Sequence, residues 1–211
     1  MTMRIAFALG AAALLIGGAA HAALVKQDLL AAGDGLITLD TSTDLEWLNL
    51  TATQDLSVNQ VLGGTGGWVS IGFHYANFGQ VGQLLNDAGY LGNTSDYSTM
   101  RLVADDLSAN AFLSDFGSTS PPDFTFGFMS PYPCGGIIGN ATRCTDYVQI
   151  NANGAENQGY AIPDSGAFGA DTARAYVGSF LIRAVPEPET YATIIAGLGL
   201  LVVLRRRGRQ R

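Results

Sequence analysis

Two uncharged stretches fence this chain and decide how much of it can fold as a body. After Arg4, residues 5–20 are all apolar or small, and they run into Ala20-His21-Ala22. At the other end residues 191–204 carry no charge and are followed by five arginines within seven positions, at 205, 206, 207, 209 and 211. What remains, residues 23–184, is 162 residues long. That is one domain of ordinary size, long enough to bury a sizeable core.

The front fence has the three parts of a secretory signal: a positive start, an apolar stretch, and small residues at −3 and −1. Ala20 and Ala22 place the signal peptidase cut after Ala22, so residues 1–22 form a signal helix. The apolar run falls short of the ~20 residues that span a bilayer, which argues against a permanent anchor. The rear fence predicts a short membrane helix over 191–204. At ~1.5 Å per residue it reaches about 21 Å, against a hydrocarbon core of about 30 Å. Arg205, Arg206 and Arg207 hold its end in the cytoplasm, leaving the body outside the inner membrane. Pro186 and Pro188 keep the segment before it extended.

Val185-Pro186-Glu187-Pro188, then a short apolar helix, then a terminal arginine cluster: this order resembles the PEP-CTERM sorting signal of Gram-negative bacteria. The same segment is also known as the ice-binding protein C-terminal domain. The resemblance covers residues 185–211 and implies an exosortase-type enzyme as partner. That enzyme recognises the motif, and the helix is removed or exchanged as the protein passes to the outer envelope or extracellular matrix. It also implies a link to exopolysaccharide producers, and nothing about ice.

The body holds five cations (Lys26, Arg101, Arg143, Arg174 and Arg183) against sixteen carboxylates, a net charge of −11. Such a domain repels phosphates, which excludes nucleic acid and anionic polysaccharide as partners. Cys134 and Cys144, an even pair in an exported chain with no other ligand-rich motif, predict a disulfide. Zinc would need three or four N or S ligands at suitable spacing, and none is found. His74, the body's one histidine, is expected to pack near the start of the helix that follows Asn77, and no G-x-S-x-G occurs, so nucleophilic catalysis lacks its parts and the chain is read as no enzyme. A glycosidase needs two carboxylates alone, which sixteen acids leave open. No cofactor is expected. Calcium is the one cation the charge admits, and oxygens at Asp40, Ser42, Asp44 and Glu46 echo a calcium loop without its glycine and distal glutamate. A hairpin turn accounts for the same residues.

Local patterns predict a β-hairpin from "GLITLD" and "LEWLNL", with Asp44 in the left-handed turn position. Ser57 and Gln60 have capping-box spacing for a short helix that Gly63-Gly64 stops. Asn77 and Gln80 repeat the device for a longer one, with Phe78, Val81, Leu84, Leu85 and Ala88 on one face and Gly89 at its end. A further helix is expected over 105–116, facing inward through Ala109, Phe112, Leu113 and Phe116, with Asp105 and Asp106 at its positive end. Strands follow around Phe124, Phe126 and Phe128, over "DYVQIN", and over "AYVGSFLIR" as one central strand. The fold class is therefore α+β: a single compact domain of mixed or antiparallel sheet and two to three helices, whose first and last strands meet.

"LITLDTSTDLEWLNLT", "GWVSIGFHYANFGQVGQLLNDAG" and the closing "SFLIR" are similar to a module common in PEP-CTERM proteins, with Asp44 in place of the usual glycine and His74-Tyr75 where Arg-Tyr is common. More remotely the pattern resembles the C-terminal domain of bacterial collagen-like adhesins, which implies a C-type-lectin-like fold and a carbohydrate-binding role. Trp47 shares a strand face with Leu45 and reads as core, whereas Trp68 sits in a glycine-rich turn as the more exposed candidate. An irregular region over 118–174 would carry Tyr132, Tyr160, Asn153, Asn157 and Asp164 as sugar-contacting groups, although an ordinary polar loop has the same composition. Two functions stand: a non-enzymatic envelope or matrix protein linked to exopolysaccharide, and a secreted hydrolase acting on that polymer.

Overall fold

The fold comes from a computed structural model that describes residues 23–93, 101–134, 142–152, 158–163 and 168–185. The predicted signal helix, its cleavage residues Ala20 and Ala22, and the predicted membrane helix all lie outside the described residues. In chain order the elements are β1 (Leu24–Gln27), β2 (Ile37–Asp40), β3 (Leu45–Leu48), α1 (Val58–Leu62), β4 (His74–Tyr75), α2 (Phe78–Asp87), β5 (Leu91–Asn93), β6 (Arg101–Asp105) and α3 (Asp106–Phe116). There follow β7 (Phe124–Phe128), β8 (Tyr132–Pro133), β9 (Arg143–Thr145), β10 (Tyr147–Asn151), β11 (Gln158–Pro163), β12 (Phe168–Gly169), β13 (Gly178–Ser179) and β14 (Leu181–Ala184). Short 3-10 turns stand at Leu50–Thr53 and Val69–Ile71. Among the described residues no helix is long and apolar enough to cross a membrane.

Element ends follow from local chemistry. Asp44 takes φ of 53°, which reverses the chain between β2 and β3 and sets Asp40 opposite Leu45 and Thr38 opposite Trp47. Ser57 and Asn77 cap α1 and α2 in capping boxes closed by Gln60 and Gln80, as their spacing predicts. Gly89 (φ 89°) ends the α2 turn, where a side chain would also meet Ser108. Asp105 caps α3 by accepting the Ser108 N–H at 2.7 Å, and that bond holds its carboxyl below the usual range.

Three sheets result. The first has the antiparallel order β1-β2-β3-β14-β4, so the opening hairpin and the closing strand do meet. The second runs β13-β7-β10-β11-β6-β5, antiparallel but for the β13–β7 pair, and the third is β12-β9-β8. The first sheet is covered on both faces. Trp47 and Ile182 point into a core shared with Leu84 and Leu85 of α2, Phe112 and Phe116 of α3, and Val148 and Ile150 of the second sheet. Leu48 and Leu181, one residue out of step, point into a second core with Val58, Val61, Trp68 and Phe73. Burial on both faces accounts for the nearly unbroken apolar character of β14 and β3.

Three expectations change. The stretch 175–183 is not one strand. Gly178–Ser179 joins β7 in the second sheet, Leu181 onward joins β3 in the first, and Phe180 between them turns its ring edge-on to Trp47. The run is apolar because the chain passes between two cores. Region 118–174 is less irregular than expected: β7 and β10 stand where strands were predicted, and its described residues also hold β8, β9, β11 and β12. His74 does not pack at the start of α2; its side chain is exposed while Tyr75, alternating with it on β4, is buried and hydrogen-bonded to Ser179 at 2.9 Å.

The loop between β1 and β2 is held by two aspartates. Asp28 accepts the N–H groups of Gly33 and Gly35, and Asp34 those of Leu29, Leu30, Ala31 and Leu36, at 2.7–3.1 Å. Partial desolvation pulls the Asp34 carboxyl upward, but the four N–H bonds outweigh it and hold the group at about 2. The folded carboxyl thus titrates below its unfolded value of ~3.9. Its stabilisation is present above about pH 4 and is lost as pH falls through about 2. Asp34→Asn should therefore flatten the acid dependence of stability in that window, read from urea melts in steps of pH. An unchanged slope would show that the loop opens without cost.

Candidate functional site

The side of the second sheet that faces away from α2 and α3 carries a row of groups unlike an ordinary polar surface. Register aligns Leu91, Val103, Tyr160, Asn151 and Phe124 across five strands, with Gln149 paired to Phe126 in the next row. The alternate residues Leu102, Ala161 and Ile150 point into the first core, which fixes the direction of the row. Leu91 is 70% exposed and Val103 42%, while Tyr160, Gln149, Phe124 and Phe126 are half-buried. Gln149 Nε2 donates to the Tyr160 hydroxyl at 3.2 Å. Phe124 and Phe126 stack at 6.1 Å, and Phe126 is braced edge-on by Tyr147 and Tyr176. A braced aromatic strip with an amide and a phenol in it can lie against the C–H face of a flat ligand and hydrogen-bond its hydroxyls.

Why the phenylalanines sit on this side is visible in β7. A Cβ at Gly127 would run into the Phe180 ring and Leu50, so the inner face has room only for Thr125 and glycine. The alternation of Phe124, Phe126 and Phe128 marks a strand in sequence, but it does not say that the rings lie on the side of the second core, with Phe128 buried in it and Phe124 and Phe126 only half-buried.

Of the predicted ligand contacts, Tyr160 lies in this row, whereas Trp68 and Tyr132 lie elsewhere. Trp68 is 8% exposed, packed in the second core beneath Gly66; its glycine-rich surroundings let the backbone fold over the indole and do not present it to solvent. Tyr132 stands exposed on β8, in the third sheet, and donates to Asp146 at 3.1 Å. Burial raises the Asp146 carboxyl, and the Tyr132 hydrogen bond partly offsets this. Asn153, Asn157 and Asp164 lie outside the described residues.

Cys134 and Cys144 are joined, with Cα atoms 5.6 Å apart, and the bond ties the end of β8 to β9. A closed loop of this length contributes roughly 2–3 kcal/mol by restricting the unfolded chain. Cys144→Ser should lower stability by about that amount in urea melts, since the buried Cys144 site also receives a hydroxyl. A midpoint equal to wild type would assign the bridge no stabilising role.

Of the calcium-like oxygens, those of Asp40, Ser42 and Glu46 are engaged by protein groups. Asp40 accepts from Ser42 N–H, Ser42 Oγ and Thr43 Oγ1, and Glu46 pairs with Arg183 across β3 and β14. Among the described residues no three His, Cys, Asp or Glu side chains gather as a metal-holding group. Two carboxylates, Asp87 and Asp115, line a groove of about 250 Å³ between β1, α2 and α3. Asp87 already accepts from Ser42 and Gln83, and burial raises Asp115 while Lys26 pulls it down.

The last strand leads directly into the sorting segment: Val185 donates its N–H to Asp44 O at 3.1 Å, and Pro186, Glu187 and Pro188 follow outside the described residues. Residues 184–209 match the family model of the PEP-CTERM protein-sorting motif. No curated protein and no solved structure matches the chain.

Proposed function

With the PEP-CTERM protein-sorting motif at residues 184–209 as premise, we propose that this chain is an exported, non-enzymatic envelope protein whose body binds a neutral polysaccharide. The motif match carries the sorting half of the reading: an exosortase-type enzyme processes the tail, and the body passes from the inner membrane to the outer envelope or matrix. Support for the binding half is the strip around Tyr160, Gln149 and Phe126 on a body of net charge −11, which disfavours anionic polymers. Calcium bridging is not needed by this reading.

Protein purified from the envelope should bind neutral glycans on an array, and Tyr160→Ala should weaken binding about tenfold or more with the melting curve unchanged. Binding that survives Tyr160→Ala would move the site off this face. The hydrolase reading rests on the Asp87–Asp115 groove. Release of reducing sugar that disappears in Asp115→Asn would establish it over the binding reading.

A further inference from the structure

Both ends of the exported body close on one turn. Ala23 donates its N–H to Thr41 Oγ1 at 3.0 Å, and Thr41 donates back to Ala23 O at 3.1 Å. Leu24 then pairs with Asp40, Ala184 pairs with Leu45, and Val185 bonds to Asp44 O. The turn of residues 41–44 thus lies between the first and last described residues, and all four of its members are exposed. It is braced from within: Asp40 accepts from Ser42 and Thr43, and Ser42 also donates to Asp87 at the end of α2.

Chain length makes this end special. Five residues separate Val185 from the uncharged run that begins at Tyr191. Six steps of fully extended chain reach about 20 Å. A compact body of this size has a radius of gyration of about 15 Å, hence a width of about 40 Å. The tether is shorter than the body, so the body cannot turn over while its tail is in the membrane. Whatever acts on the few residues after Val185 works within about 20 Å of the 41–44 turn, to which Val185 is bonded.

We propose that the 41–44 turn is the surface on which the membrane-embedded processing enzyme docks, so that it engages the folded body as well as the tail. This inference rests on the sorting reading above. Charge selects the enzyme over lipid: Asp44 and Asp87 are acidic, no Lys or Arg stands in the turn, and anionic headgroups would repel it. The opposing surface must supply hydrogen-bond donors or positive charge to Thr41, Thr43 and Asp44.

The test uses the full chain in a strain that holds an exosortase, following tail processing by pulse-chase and intact mass. Asp44→Lys should slow processing about tenfold and Asp44→Asn by less, with the melting curve of the released body showing that it still folds. Leu30→Lys, at the other end of the β1–β2 hairpin, should have no effect. A photoreactive residue at Thr43 should capture a protein that is absent when the exosortase is deleted, and the same residue at Leu30 should not. Wild-type rates in both Asp44 variants, capture of lipid alone at Thr43, or equal capture at Leu30 would overturn the docking surface while processing of the tail continues. A wild-type tail left unprocessed would overturn the sorting reading itself, and the docking surface with it.

Discussion

Trp47→Ala should destabilise the exported body by about 3–5 kcal/mol, as emptying a full aromatic site does. Trp47 is 1% exposed and packs edge-on to Phe180 at 6.2 Å. It pairs with Thr38 on one side and Ile182 on the other, so its indole fills the place where both hairpin strands meet the last strand. The same core holds Leu84 and Leu85 of α2 and Phe112 and Phe116 of α3. Against a total stability of roughly 5–15 kcal/mol the loss is a large fraction, and at the lower end of that range it brings the domain near its unfolding midpoint. Trp47→Phe is the control. It keeps most of the ring and removes an Nε1–H that has no hydrogen-bond partner among the described residues, so its cost should stay below about 1.5 kcal/mol. Urea melts of the three proteins read both numbers. A Trp47→Ala midpoint close to wild type would mean that the two sheets do not share this core.

What could be read in advance was what depends on neighbours in sequence. Ser57 with Gln60, Asn77 with Gln80, and Asp44 in its turn act over three or four residues, and each does what its spacing implies. The inward faces of α2 and α3 follow from 3.6-residue periodicity in the same way. The tail was legible because its signal lies in the order of prolines, apolar run and arginines, independent of packing. Tertiary placement was not legible. Phe180 marks the point where the chain leaves one sheet for another, and an apolar run reads the same whether it is one buried strand or two short ones. Trp68 sits among glycines that could equally form an exposed turn or a lid over the ring. Tyr160 was singled out for its chemistry, but its partners Gln149 and Phe126 come from β10 and β7, and only the register of three strands brings them together.

The other large effect is expected at the tail. Pro186 and Pro188 withhold backbone N–H groups and keep their neighbours extended, each costing about 3 kcal/mol in a helix interior. Val185 bonds to the Asp44 carbonyl, and the residues that a processing enzyme would engage follow it directly in sequence. Alanine at both positions lifts that bar, so the stretch would be free to become helical and be withheld from the enzyme. The doubly substituted protein should stay in the inner membrane with its tail intact. Intact-mass measurement of the unsubstituted protein from envelope fractions tests the central claim most directly. In a strain with an exosortase, the protein should lack residues 1–22 and be cut or modified between residues 187 and 190. Recovery of the full tail, through Arg211, in every fraction of that strain would contradict it.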